Sequence, residues 1–241
     1  MTSILVTGGT GTLGRPTVAR LADRQVRVLS RKPGPDRVVA DLTTGEGLAA
    51  VAGSDVIVHL ATSLGSKDVQ QTRNLLAASE GVKHLLMMSI AGIDRIPVAY
   101  YRHKLEAERL VAESGLPYTI LRATQFHNLV DRVLTVQRFL PAVLAPAVPL
   151  QPIAVDDVAE RLAELVDQPP VNGRAADIGG PERLSVPELA RLWKQARGVR
   201  RPVVPLKLPG RIFREYANGA ATVDGPAYGR TTFAEYLSTL T

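Results

Sequence analysis

Tyr100 and Lys104 stand four residues apart in the run Tyr100-Tyr101-Arg102-His103-Lys104. On a helix that spacing puts both side chains on one face. A phenol beside an ammonium is an acid–base pair. The cation would lower the phenol pKa, and the phenol would give a proton to a carbonyl oxygen or take one from an alcohol. Ser89 follows the apolar run His84-Leu85-Leu86-Met87-Met88 and offers a hydroxyl that would orient the same oxygen. Lys104 could also hold a ribose hydroxyl. Tyr101, three residues from Lys104, competes with Tyr100 for the role. His59 and His103 lack a partner at metal-ligand spacing, so both are read as bystanders and no metal site is expected.

A second group of residues suits phosphate. Thr7-Gly8-Gly9-Thr10-Gly11-Thr12-Leu13-Gly14 carries glycines at the spacing G-x-x-G-x-x-G between an apolar strand and a helix. Gly8 permits the tight turn, Gly11 lets the backbone approach a pyrophosphate, and Gly14 lets the helix lie close to the strand. Thr10, Thr12 and Leu13 lie within the same turn, whose free N–H groups and dipole end favour phosphate. Strand before and helix after is the context that a dinucleotide site requires. After the second strand, where an NAD site usually places an acid, the chain has Ser30-Arg31-Lys32. A hydroxyl and two cations would meet a 2′-phosphate. The expected cofactor is therefore NADP(H), with NAD as the alternative. Asp41-Leu42 could flank the adenine, and Leu60-Ala61-Thr62 could line the adenosine side.

These residues need a scaffold, and the hydrophobic pattern supplies one. Strands are expected at residues 4–6, 26–29, 38–40, 55–60, 84–88 and 118–121, and helices at 13–23, 48–52, 69–79 and 100–113. Such alternation specifies an α/β fold, a doubly wound Rossmann sheet of parallel strands with helices on both faces. Beyond residue 122 the pattern loosens. Helices are expected at 126–140, 158–166 and 187–197, the last with Ser185 as N-cap and Glu188 three residues on, and a strand at 175–178. The expectation is one NAD(P)-binding domain over residues 1–241, in which residues 123–241 form a smaller, interleaved substrate lobe.

Composition narrows the classes further. Hydrophobic residues make up 45% of the 241 and charged ones 22%, enough to bury a core and too balanced for disorder. There is no cysteine, which excludes disulfides, thiolate metal sites and a thiol nucleophile. The net charge of +6 comes from scattered arginines with no recognition motif, so no nucleic-acid partner is expected. The N-terminus enters a strand with no basic leader, and prolines 141, 146, 149 and 152 break the apolar stretch 139–153. A cytoplasmic protein without a membrane partner is expected.

The chain resembles the short-chain dehydrogenase/reductase superfamily, of the extended or atypical type near NmrA-like and NAD-dependent epimerase/dehydratase-like proteins. The resemblance is carried by residues 7–14, Asp41-Leu42, His59-Leu60-Ala61, residues 81–89 and 100–104, Gly115-Leu116-Pro117-Tyr118-Thr119-Ile120-Leu121-Arg122, Val155-Asp156-Asp157-Val158-Ala159 and Asp177-Ile178-Gly179-Gly180. It implies a Rossmann fold, a dinucleotide and, for many members, a Ser, Tyr, Lys active site. It also implies that the segment from Ala123 to Phe126 runs past the nicotinamide, with His127 and Asn128 near the substrate. Residues 139–152 would form an apolar roof favouring an apolar substrate. The expected function is an NADP(H)-dependent oxidoreductase moving hydride to or from a small carbonyl, alcohol or quinone. The alternative is a catalytically silent NADP(H) sensor that acts on a partner. A sugar-nucleotide epimerase is less compatible with so short a C-terminal lobe.

Overall fold

Each expected strand of the first half has a short apolar run, and each becomes a strand of one sheet. The computed structural model of the chain describes residues 2–63 and 65–240, so the expected domain limits, residues 1 and 241, lie outside it. In chain order the elements are β1 (Ser3–Thr7), α1 (Gly14–Arg20), β2 (Gln25–Ser30), β3 (Arg37–Val39), β4 (Val56–His59), α2 (Lys67–Ala77), β5 (His84–Ile90), α3 (Ala99–Ala112) and β6 (Tyr118–Ala123). They continue with α4 (His127–Thr135), β7 (Val143–Pro146), β8 (Pro149–Leu150), α5 (Val155–Val166), β9 (Gly173–Arg174), β10 (Leu184–Ser185), α6 (Val186–Ala196), β11 (Val203–Leu206), α7 (Arg211–Ala217) and α8 (Phe233–Ser238).

The chain divides into two compact units, each built from three segments. The first comprises Met1–Ser89, Val98–Arg122 and Ala159–Ala176; the second comprises Ile90–Pro97, Ala123–Val158 and Asp177–Thr241. In the first, a parallel seven-stranded sheet runs in the order β3-β2-β1-β4-β5-β6-β9. Ile4, Leu5 and Val6 are fully buried and all of β4 is buried, as strands covered on both faces must be. Leu5, Ile57, Leu85 and Ile120 pack with Leu75 of α2 and Ala107 and Val111 of α3 on one side. The strand order reverses at β1, whose neighbours are β2 and β4. In such sheets ligands bind outside the carboxyl ends of the strands at that reversal.

The second unit has its own core. β7 pairs in parallel with β11, and β10 pairs antiparallel with β8. Val130 and Leu134 of α4, Leu189, Ala190 and Trp193 of α6, and Phe233 and Leu237 of α8 close the core over Val143 and Ala145. The Ser185 hydroxyl caps α6 by accepting from the Glu188 N–H while Glu188 reaches back, the reciprocal box that the sequence predicts.

Three expectations are corrected. The strand at 175–178 is instead Gly173–Arg174 beside β6; Ala175 and Ile178 are apolar because they are buried, and Ile178 makes only an isolated bridge to Ala123. The helix at 126–140 stays α-helical to Thr135 and tightens to a 3-10 turn at Val136–Phe139, because Pro141 bars continuation. The stretch 139–152 is not a uniform apolar roof: Val143, Ala145 and Val148 turn into the core, while Phe139 and Leu140 stay exposed.

Candidate active site

The glycine turn leaves the end of β1 beside the end of β4. Gly8 has φ +70, and a Cβ there would stand 2.7 Å from the Ala61 backbone nitrogen. A Cβ on Gly14 would collide with the Gly8 carbonyl oxygen. Both positions therefore require glycine, for conformation and for close approach. Gly11 differs: its Cβ would meet only the Gly8 oxygen, at 3.2 Å, and the residue is exposed with Thr10 and Thr12. Leu13 ends the turn as the N-cap of α1 with no side-chain cap. This is a cradle of bare backbone facing outward, and it fits a pyrophosphate.

Around it, Ser30 ends β2 and its hydroxyl accepts from the Lys32 N–H at 3.1 Å, which shapes the turn bearing the exposed Arg31 and Lys32. The Asp41 carboxylate accepts from the Thr43 N–H at 2.7 Å; these bonds, above all the Thr43 backbone one, hold it below its ordinary range, and Arg31 adds to the effect. Leu42 packs its side chain into the sheet core, so it has no side-chain surface with which to flank an adenine. Leu60, Ala61 and Thr62 follow β4. Ala123 and Phe126 belong to the second unit, with Phe126 as N-cap of α4. His127 is turned into that unit's own aromatic cluster, stacked on Tyr236 at 5.4 Å with Nε2 donating to the Thr231 oxygen. Its expected place near the substrate is thus replaced by a packing role.

Tyr100 joins a hydrogen-bonded chain within the first unit. Thr62 Oγ1 donates to Asp68 Oδ2 at 2.6 Å and lies 3.1 Å from the Tyr100 hydroxyl. Since the Thr62 proton goes to the carboxylate, Tyr100 donates to Thr62. Asp68 also accepts from the Ser63 N–H and hydroxyl, each at 2.6 Å. Lys104, four residues along α3, is buried. Ser89 is buried too, and its hydroxyl has no hydrogen-bond partner among the described residues. An orphaned buried hydroxyl at a strand end suits a ligand oxygen.

The electrostatics correct one expectation. Burial pushes the Tyr100 phenol above its ordinary value; the Thr62 bond pulls it back, and the Asp68 carboxylate adds to the rise. The net shift is thus upward, opposite to the lowering expected beside Lys104. Burial also pushes the Lys104 ammonium down, against Asp68 and Glu108. Glu108 is itself held by Arg122 in a buried bidentate pair, with bonds of 2.9 and 2.7 Å.

Asp68 is a buried polar group that the motifs did not single out, and His59, read from the sequence as a bystander, is held by hydroxyls on both ring nitrogens. His59 Nδ1 lies 2.7 Å from the Thr7 hydroxyl and Nε2 lies 3.2 Å from the Thr72 hydroxyl. Thr72 donates to the Asp68 carbonyl oxygen, so it must accept from Nε2–H, and Thr7 donates to Nδ1. Burial, reinforced by Lys104, brings the His59 pKa down to about 3. A depressed histidine favours the fold above its unfolded pKa and loses that contribution as pH falls through 6.5 toward 3. Urea unfolding should thus show stability dropping by on the order of 2 kcal/mol from about pH 7 to pH 5 through this group. His59→Gln should flatten the pH dependence by that amount; an unchanged slope would mean the ring is not held neutral.

The family model described as NAD(P)H-binding matches residues 8–169, so the chain belongs to this NAD(P)H-binding family of Rossmann proteins. It is 28% identical over 205 residues to a (4-alkanoyl-5-oxo-2,5-dihydrofuran-3-yl)methyl phosphate reductase of Streptomyces griseus, covering 77% of this chain and 70% of that one. It is 28% identical over 220 residues to an NAD(P)H azoreductase of Xenophilus azovorans, covering 83% and 75%. Some relatives are much longer: the chain spans 24% of mycobacterial proteins to which it is 27% identical. Among solved structures it is similar to an NADPH-dependent quinone oxidoreductase of Escherichia coli complexed with NADPH, with TM-score 0.83, 20% identity and coverage of 98% and 99%. The fold is the Rossmann fold shared with that structure.

Proposed function

We propose that this chain is an NADP(H)-dependent reductase of small, apolar carbonyls or quinones, with Tyr100 as proton donor. The observation that carries the reading is the Tyr100–Thr62–Asp68 chain, whose tyrosine lies on the helix that bears buried Lys104; the buried, unpartnered Ser89 hydroxyl near the end of β5 supports it. A reduced nicotinamide, when bound, supplies hydride to the acceptor carbon. Ser89 holds the acceptor oxygen, Tyr100 transfers its proton to that oxygen, and a carbonyl leaves as an alcohol. The phenolate then recovers a proton from water. Burial and Asp68 keep the phenol protonated, the form that a proton donor needs. Lys104 holds the ribose, residues 8–14 the pyrophosphate, and Leu60, Ala61 and Thr62 the adenosine side. The reductase names of the two relatives support the reaction class.

Steady-state oxidation of NADPH against a panel of ketones, aldehydes and quinones tests the reading. Tight NADPH binding with no acceptor turned over would overturn it in favour of a sensor. Cofactor choice rests on Arg31 and Lys32, both exposed after β2. Arg31→Ala should weaken NADPH binding by about 1–3 kcal/mol, the worth of a charge-assisted contact, and leave NADH nearly unchanged. Calorimetry giving the parent equal affinity for both cofactors would refute the preference.

A further inference from the structure

In the second unit α4 is apolar on two sides. Val130 and Leu134 enter the core, while Leu129, Val133 and Val136 are exposed, followed by Phe139 at 84% exposure and Leu140. Gln137 fastens this segment to β7: its Nε2 donates to the Val133 and Leu144 carbonyl oxygens, and its Oε1 accepts from the Leu144 N–H. Leu144 is the register partner of Val204 in β11, and both are exposed. Further along the chain Leu208 and, in α7, Ile212 are also exposed. Monomers rarely leave so many apolar side chains together in water without a use for them.

Charge completes the pattern. Residues 127–150 and 197–217, which hold these elements, contain eight Arg or Lys against Asp131 and Glu215. The whole chain has 29 basic and 23 acidic residues, so 21 of each remain elsewhere. The net charge of +6 therefore falls entirely on these two segments. Asp131 is taken up by Trp193 and Arg197, at 2.8 and 3.1 Å. Arg132, Arg138, Arg200, Lys207, Arg211 and Arg214 are exposed. The Arg138 guanidinium sits 4.6 Å from the Phe139 ring centroid, so a cation accompanies the most exposed apolar group.

A second copy is a poor occupant, because an isologous contact would press like charges together. An anionic lipid surface takes both parts: apolar tips enter the headgroup boundary and cations meet phosphates. We propose that this face docks the protein on an anionic membrane surface. Among the described residues no helix is long and apolar enough to cross a membrane, and docking needs none.

Sedimentation with vesicles tests it on the full chain, using phosphatidylcholine with and without about a third phosphatidylglycerol. The protein should pellet with the anionic vesicles, release with salt and ignore phosphatidylcholine alone. Phe139→Ser with Leu140→Ser should lower partitioning at least about tenfold. Lys207→Gln with Arg211→Gln should lower it by roughly fivefold per charge. Arg73→Gln, an exposed cation of the first unit, should change little. No binding at low salt would overturn the proposal, as would binding that ignores the Phe139 and Leu140 changes. Equal binding to neutral vesicles would also overturn it. Self-association in sedimentation velocity that the Phe139 and Leu140 changes abolish would assign the face to a second copy instead. Since all substituted side chains are exposed, thermal melting should confirm that each variant is folded.

Discussion

Tyr100→Phe should lower turnover of a plain ketone or aldehyde by about 10²–10⁴-fold, the usual worth of a positioned proton donor. NADPH affinity should survive, since the phenol oxygen bonds to Thr62 and the change removes one proton and one oxygen. Tyr101→Phe is the internal control and should stay near the parent. Lys104→Met should reduce both affinity and turnover, because the ammonium is assigned to the ribose. The pH profile adds a readout that packing alone would not move. Loss of the phenol proton at high pH should end activity, and that limb should lie above the ordinary tyrosine value because burial and Asp68 raise it. Asp68→Asn should bring the limb to lower pH. Quinones accept hydride with less help from a proton donor, so the carbonyl assay decides. Full activity of Tyr100→Phe on a carbonyl would refute the mechanism.

Gly11→Val should abolish dinucleotide binding while keeping the fold. The new side chain would start 3.2 Å from the Gly8 oxygen and project from the exposed turn, where the pyrophosphate must approach. The contrast with Gly14→Val is informative. There the Cβ collides with Gly8 and Gly9 backbone, so the variant should lose stability as well as ligand. Circular dichroism and calorimetry separate the two outcomes. A Gly11→Val protein that binds NADPH like the parent would move the phosphate site elsewhere.

Much of this was readable in the residues. Each of β1, β2, β4, β5 and β6 is a compact apolar run ending near a turn, and buried parallel strands give that signal strongly. The glycine spacing and the four-residue step from Tyr100 to Lys104 are local, so the sequence carries them directly. β7, β8, β10 and β11 are two to four residues long and include Pro146, Pro149 and Pro205, which leaves too little period to detect. Asp68 was not legible because its role comes from folding back on Thr62, six residues away. Its burial next to Lys104 depends on α2 and α3 lying together. The raised Tyr100 phenol follows from the same placement: spacing showed which charge was near in sequence, and packing decided which one acts.

The sheet is also ordered in time. Its outer strand on one side, β9, is two residues at Gly173–Arg174, and it covers β6, which ends at Ala123. On the ribosome, residues 124–158 of the other unit must emerge between them. During that interval the backbone groups of β6 that later pair with β9 are open to any passing strand. The nascent chain is therefore most exposed to chaperones, or to wrong partners, after its dinucleotide cradle has already been synthesised.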